Sequence, residues 1–332
     1  MHASAERRGR AESGLRRRVM SRQDRADAVD REMAARPLPD AALQTLGRWW
    51  SGSSAEFADG TPGAHTVRYT PSRWAQITPW PSALASTSHI GDAGISRAQV
   101  ASIVADALRR EAFREALVAT YVWGKGKRGS PGGSGPASLQ KILAAEGLDT
   151  ALARAVTTLS EHSAEAAYAG LQGLVPGFGP SFYTKFLYFA GKTVPSATGP
   201  QPLVLDRVLA RRLRSLAQAV GRETGHDPDG SIASWVWRDR NWSPHRYAVY
   251  LSFMQAAASQ AAATGGLAGR CLARPARIRP VQRLVDVNPS PRRARLPWVA
   301  GGGGLCSRTG GTRSPAGSRR CAARRWRAAG RW

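Results

Sequence analysis

Apolar residues along the chain recur mostly at spacings of three and four, and the alternation expected of half-buried strands is nearly absent. Ser96-Arg97-Ala98-Gln99 has the form of a capping box, and Val100, Ile103, Val104, Ala107 and Leu108 follow at helical spacing. A second helix is expected over 111–123, ending in Tyr121-Val122-Trp123, before a loop rich in Gly, Ser and Pro from Gly124 to Pro136. Shorter helices fit 137–146, 150–159 with Asp149 as N-cap, 162–172 and 180–190. A longer one fits 204–219, where Leu205, Val208, Leu209, Leu213 and Leu216 share a stripe. Residues 231–238 predict a short helix, and Ser243-Pro244 supplies an N-cap and N1 pair for a long helix through about Ala262. The sum is an all-α domain. Residues 38–95, with Trp49, Trp50, Trp74 and Trp80 among Pro and Gly, predict an irregular packed lead-in.

Charge sharpens the domain boundaries. The 332 residues hold 48 Lys+Arg against 23 Asp+Glu, a net +25. Residues 1–37 hold 10 Arg and 6 acids, and 266–332 hold 16 Arg and a single acid, Asp286. Both ends are poor in branched and aromatic residues, so neither buries enough surface to offset the entropy of ordering. The expected organisation is a disordered basic segment over 1–37, a helical domain over 38–265, and a disordered Arg/Gly/Pro-rich tail over 266–332. For the tail three readings stand: a passive segment, a reading-frame artefact, and an arm that binds nucleic acid. No run of 18 apolar residues exists, which argues against a helical membrane span, and no apolar core follows the Arg-rich start, which argues against a secretory signal. Cys271, Cys306 and Cys321 all fall in the tail, so Cys-ligated zinc, an iron–sulfur cluster and a disulfide framework are excluded for the helical domain. The expected compartment is the cell interior.

Two glycine-rich stretches are candidates for chemistry. Gly124-Lys125-Gly126-Lys127-Arg128-Gly129 has the letters of a dinucleotide fingerprint, but a helix precedes it and no parallel strand is at hand, so that reading fails. Lys125 and Lys127 remain candidates for contact with a phosphate backbone, against the alternative of a solvated connection. The second stretch, Leu174-Val175-Pro176-Gly177-Phe178-Gly179-Pro180, joins two expected helices. Gly177 and Gly179 permit a tight turn after Val175-Pro176, and the backbone N–H groups at the start of the next helix suit a phosphate diester. An ordinary helix–helix turn is the bland alternative.

This hairpin, the helix after it, and Leu203-Val204-Leu205-Asp206-Arg207-Val208 running into another helix together resemble the helix–hairpin–helix DNA glycosylase superfamily. The Trp123-Gly124 loop and the helix from Gly179 to Phe189 resemble more specifically a bacterial 8-oxoguanine DNA glycosylase-like group. The resemblance spans roughly residues 90–262. It implies a helix–hairpin–helix bundle that excises a damaged base, 8-oxoguanine foremost, from double-stranded DNA. It also implies an enzyme acting as a monomer at the nucleoid, without membrane attachment or cofactor beyond a monovalent cation that the hairpin could hold. Val175, Gly177, Phe178 and Gly179 would then grip the DNA backbone.

Breaking a C1′–N bond in a flipped nucleotide requires a carboxylate, and a bifunctional enzyme adds an amine that becomes a Schiff base. Asp206, at the head of a helix, fits the carboxylate, with a plain helix cap as the alternative. Lys185 fits the amine. Its helical neighbours Ser181, Phe182, Tyr188 and Phe189 would desolvate an ammonium and lower its pKa, whereas a snorkelling surface lysine is the alternative. Two departures from the superfamily stand out: Lys185 lies one turn later than the usual nucleophile, at the level of Ser181, and Thr198-Gly199-Pro200-Gln201-Pro202 looks inserted. For the base pocket, Trp123, Gly124, Trp242, Tyr247 and Tyr250 are candidates, although the three- and four-residue spacing of Tyr247, Tyr250 and Met254 favours core for these. Two other readings compete with catalysis: a non-catalytic DNA-binding module, and an inactive scaffold.

Overall fold

A computed structural model of the protein describes residues 20–35, 38, 40, 42–44, 65–127 and 135–263. Its elements in chain order are α1 (Arg22–Ala35), β1 (Val67–Tyr69), β2 (Ala93–Ile95), α2 (Arg97–Arg109), α3 (Phe113–Lys125), α4 (Gly135–Leu143) and α5 (Leu148–Glu161). There follow α6 (Ala164–Leu171), α7 (Pro180–Ala190), α8 (Arg207–Thr224), α9 (Ser231–Val236) and α10 (Pro244–Ala263). The all-α reading holds. The strands form only a three-residue antiparallel ribbon, with Val67 opposite Ile95 and Tyr69 opposite Ala93, too short for an alternating pattern to register in the sequence.

The centre of the fold is α7. Its last eight residues, Tyr183 to Ala190, are all buried, and it packs against α2, α3, α5 and α6. A helix apolar on every side is one surrounded by other helices. Around it, α2 begins with the expected capping box: the Ser96 hydroxyl accepts from Gln99 N, and the Gln99 side chain accepts from Ser96 N. The capping reading of Asp149 does not hold. Gly147, at φ 73°, occupies the N-cap of α5, and Asp149 lies in its first turn, where it pairs with Arg114. Val208 departs as well: it is 52% exposed, because α8 starts at Arg207 and turns its buried stripe to Leu209, Ala210, Leu213, Ala217 and Val220.

The expectation of disorder over 1–37 fails for Arg22–Ala35, which form α1. Ser21 and Asp24 cap it reciprocally, with Asp24 N donating to Ser21 Oγ and Ser21 N to Asp24 Oδ2, both 3.0 Å. Ala26, Ala28, Val29 and Met33 are buried, and the helix packs on α8, α9 and α10. Arg246 of α10 reaches Asp30 with Nη1 at 2.8 and 2.7 Å from its two carboxylate oxygens, and Arg25 Nε donates to the His226 carbonyl at 2.9 Å. The apolar face, two alanines with Val29 and Met33, is small by itself; partners some two hundred residues later complete it. The expectations for residues 1–19, for the 266–332 tail with its cysteines, and for Trp49 and Trp50 lie outside the described residues. Among the described residues no helix is long and apolar enough to cross a membrane.

Candidate active site

The hairpin between α6 and α7 is built from two buried anchors and an exposed tip. Gln172, extended at φ −67° and ψ 117°, ends α6, and Gly173 at φ 72° follows in a turn across which Leu174 N donates to Leu171 O at 3.4 Å. Phe178 N donates to the Val175 carbonyl at 3.1 Å across Pro176-Gly177, and Gly177 stands at φ 78°, the pattern of a type II turn. Val175 and Phe178 are buried, so their side chains fasten the turn and only their backbone can face a ligand. Leu174, Pro176 and Gly177 are exposed. Gly179, extended at φ −79°, is the N-cap of α7, and Pro180 occupies N1.

One turn into α7, Lys185 is buried at 7% exposure. Helical side chains lean toward the N-terminus of their helix, and here Nζ folds back to donate to the Ser181 carbonyl at 2.6 Å. The amine therefore lies on the N-terminal side of its own Cα, against the backbone of the preceding turn. Of the aromatic neighbours, only the ring on the N-terminal side meets it: Nζ is 5.6 Å from the Phe182 centroid, and Phe182 stacks on Tyr121 at 4.1 Å. The Tyr188 and Phe189 rings lie beside Lys192 instead. Burial pushes the Lys185 pKa below its ordinary 10.5, with the Asp206 charge acting in the opposite direction.

Asp206 is both a cap and a partner of the amine. Its Oδ1 accepts from Val208 N at 2.9 Å and Leu209 N at 3.1 Å, closing the start of α8, while Oδ2 lies 3.8 Å from Lys185 Nζ. The two readings of this residue are thus carried by different oxygens of one carboxylate. The apparently inserted segment is tied down on the way to it. Ala197 N donates to Leu159 O at 3.2 Å, and Thr198 N to His162 O at 2.8 Å, which fixes the segment to the end of α5. Three hydroxyls then hold the next residues. Tyr247 OH accepts from Leu203 N and donates to Leu203 O, Tyr250 OH donates to Val204 O, and Thr184 Oγ1 accepts from Leu205 N at 3.2 Å. Thr184 is next to Lys185 on α7, so this bond couples the register of the amine to that of the carboxylate.

Tyr247 and Trp242 therefore do not line a base pocket. Tyr247 has no exposure and Trp242 1%. Both belong to an aromatic core in which Tyr247 stacks on Tyr168 at 4.3 Å, and Tyr168 OH donates to the Trp242 carbonyl at 2.6 Å. Their periodicity on and before α10 is that of core, and the positioning hydroxyls of Thr184 and Tyr250 have no signal in the sequence. Trp123 is half-buried on the last turn of α3, with Nε1 donating to His65 O at 3.2 Å and the Arg97 guanidinium over its ring. Gly124 faces Lys185 itself. Lys125 is half-buried, and desolvation lowers its pKa. Lys127 is exposed and bridges to Asp92. Asp27, Asp30 and His245 bring potential metal-ligand atoms within 4.8 Å of one another, but the Asp30 carboxylate is already neutralised by Arg246.

The structure is that of an all-α protein in which a backbone hairpin precedes a paired lysine and aspartate. Residues 60–274 match the model of the family described as "Putative 8-oxoguanine DNA glycosylase OGG-like protein", and the chain belongs to that family. No curated protein and no solved structure matches the chain.

A buried amine whose pKa is depressed costs stability while it is charged. The folded state holds its proton less tightly than the unfolded state, so this cost is full below the depressed pKa and vanishes above 10.5. Lys185→Met is therefore expected to raise the melting temperature at pH 7, with an advantage that shrinks as pH rises toward the ordinary lysine range. Thermal melts of both proteins across pH check this, and an advantage independent of pH would contradict it.

Proposed function

We propose that this protein is a DNA N-glycosylase with AP lyase activity, removing an oxidised purine, 8-oxoguanine foremost, from double-stranded DNA. The observation that carries the reading is the desolvated Lys185 amine 3.8 Å from a carboxylate oxygen of Asp206, one turn beyond a backbone hairpin. The family description supports the choice of base.

The exposed backbone at Gly177 and the first turn of α7 would take a phosphate diester, with a monovalent cation bridging if one binds, in the manner of helix–hairpin–helix units. Lys127 and Lys125, at the end of α3, add positive charge on the strand's path. The nucleotide to be repaired is flipped toward Lys185. Neutral Nζ donates its lone pair to C1′ as the C1′–N bond breaks, and the bonding pair leaves with the base. The proton shed by the attacking nitrogen passes by way of Asp206 Oδ2 to the departing base. Ring opening moves the remaining N–H proton to O4′ and leaves a C1′=N imine. The Asp206 carboxylate also offsets positive charge on the sugar as the bond loosens.

The test is incubation of the protein with an 8-oxoguanine duplex, with assay of free base and of adduct after borohydride reduction, in which hydride adds to C1′ and the nitrogen is fixed as a secondary amine. Release with trapping supports the reading. Release without trapping leaves an aspartate-and-water glycosylase. Neither product over a panel of oxidised purines, with salt-sensitive duplex binding retained, leaves a non-catalytic binding module.

The two roles of Asp206 separate by substitution. Asparagine keeps a good N-cap oxygen but no charge, so Asp206→Asn is expected to melt near the wild type while excision falls by about 10³-fold. Asp206→Ala is expected to lose that activity and, in addition, about 1 kcal/mol of stability from the uncapped α8. Equal melting losses in the two variants would contradict the assignment of cap and chemistry to separate oxygens.

A further inference from the structure

We propose that Gly124 is the positioning residue of the lysine nucleophile: its missing side chain leaves the space through which the Lys185 chain folds back along α7. The inference rests on the catalytic reading above. A Cβ built on Gly124 would stand 2.6 Å from Lys185 Cδ, 3.1 Å from Cε and 3.7 Å from Phe182 Cε1. The first of these is far inside van der Waals contact. All three atoms belong to side chains, and the two nearest belong to a flexible one, so the lysine is what gives way.

The backbone supplies the second half of the argument. Gly124 lies inside the last turn of α3 without a positive φ, whereas the left-handed residue that follows the helix is Gly126, at φ 57°. Alanine suits a helix interior better than glycine does. The helix therefore has no conformational use for glycine at 124, and what the residue provides is room beside the lysine. An alanine there would drive the amine away from the Ser181 carbonyl and toward water. The ammonium would regain hydration, hold its proton more tightly, and lose its approach to C1′.

Gly124→Ala makes an activity change and a stability change of unlike character. On a duplex with a preformed abasic site, borohydride trapping is expected to slow on the order of 10²-fold, as for an ångström-scale misplacement of a reacting group. Its pH–rate profile should move to higher pH, while duplex affinity holds and the melting temperature is equal to or above that of the wild type. Trapping at the wild-type rate with an unmoved pH profile overturns the proposal. If the variant instead melts early, the same substitution in a Lys185→Ala background decides. Stability restored there identifies the lysine chain as the clashing group, and a persistent loss overturns the proposal. If the wild type itself neither traps nor releases base, the catalytic reading fails, and that stability cycle still judges the contact between Gly124 and Lys185.

Discussion

Lys185→Ala is expected to abolish borohydride trapping and to lower 8-oxoguanine release by about 10⁶-fold, the scale on which a serine protease loses rate when its covalent nucleophile is removed. The amine is made nucleophilic by its position. It is buried to 7% exposure against Phe182 and the open side of Gly124, and burial lowers its pKa. Among the described residues its one ion-pair partner is Asp206 Oδ2 at 3.8 Å, a distance too long for a tight ion pair. A lysine locked in a short bidentate bridge would keep its proton, whereas this one can surrender it. Duplex affinity in the variant should stay close to that of the wild type, because the buried amine is not among the exposed groups proposed to hold the DNA backbone, the hairpin tip and Lys127. Base release within roughly tenfold of the wild type would transfer the chemistry to Asp206 and water, and the lysine would then be a structural residue.

Arg246→Ala is expected to cost about 3–5 kcal/mol, the penalty for leaving one member of a buried ion pair without its partner. In a protein of this size that lowers the melting temperature on the order of 10 °C. The Arg246 side chain is 5% exposed and that of Asp30 11%, and the guanidinium also lies 5.0 Å from the centroid of buried Trp237. Removing the arginine strands the Asp30 carboxylate beneath α1, where burial already raises its pKa despite the arginine beside it. The double variant Arg246→Met/Asp30→Leu should recover most of the loss, since an apolar pair of similar volume carries no desolvation penalty. A chemical melt of the two variants beside the wild type checks this. An Arg246→Ala loss below about 1 kcal/mol would mean that α1 contributes little to the fold. The family match begins at residue 60, so α1, fixed to α8, α9 and α10, lies outside the matched residues.

Helices with a strong local signature were legible. The Ser96–Gln99 box, the Ser243-Pro244 start and the extent of α7 could be read because their capping and periodicity are set by residues within one or two turns. Boundaries drifted where the stop depends on a backbone state. Glu111, at φ 56°, separates α2 from α3, although glutamate gives no such signal. The sequence predicts disorder over α1 for a related reason: two of its four buried residues are alanines, and its charged residues are compensated by Arg246 and by the backbone at His226.

The candidate site divides along the same line. The order of hairpin, lysine and aspartate is a property of the chain, so the sequence by itself determined the helical class, the turn at Val175–Phe178 and the two ionisable groups suited to the chemistry. What separated Lys185 from a snorkelling surface lysine, and Trp242 and Tyr247 from a base pocket, was burial, which depends on elements far away in sequence. Only the tertiary structure opened the space beside Gly124 along which the lysine chain lies, and set Asp206 near the amine through the hydroxyls of Thr184, Tyr247 and Tyr250. Local periodicity fixes which residues share a helix face; desolvation and approach distance arise between helices, and one helix's own sequence does not encode them.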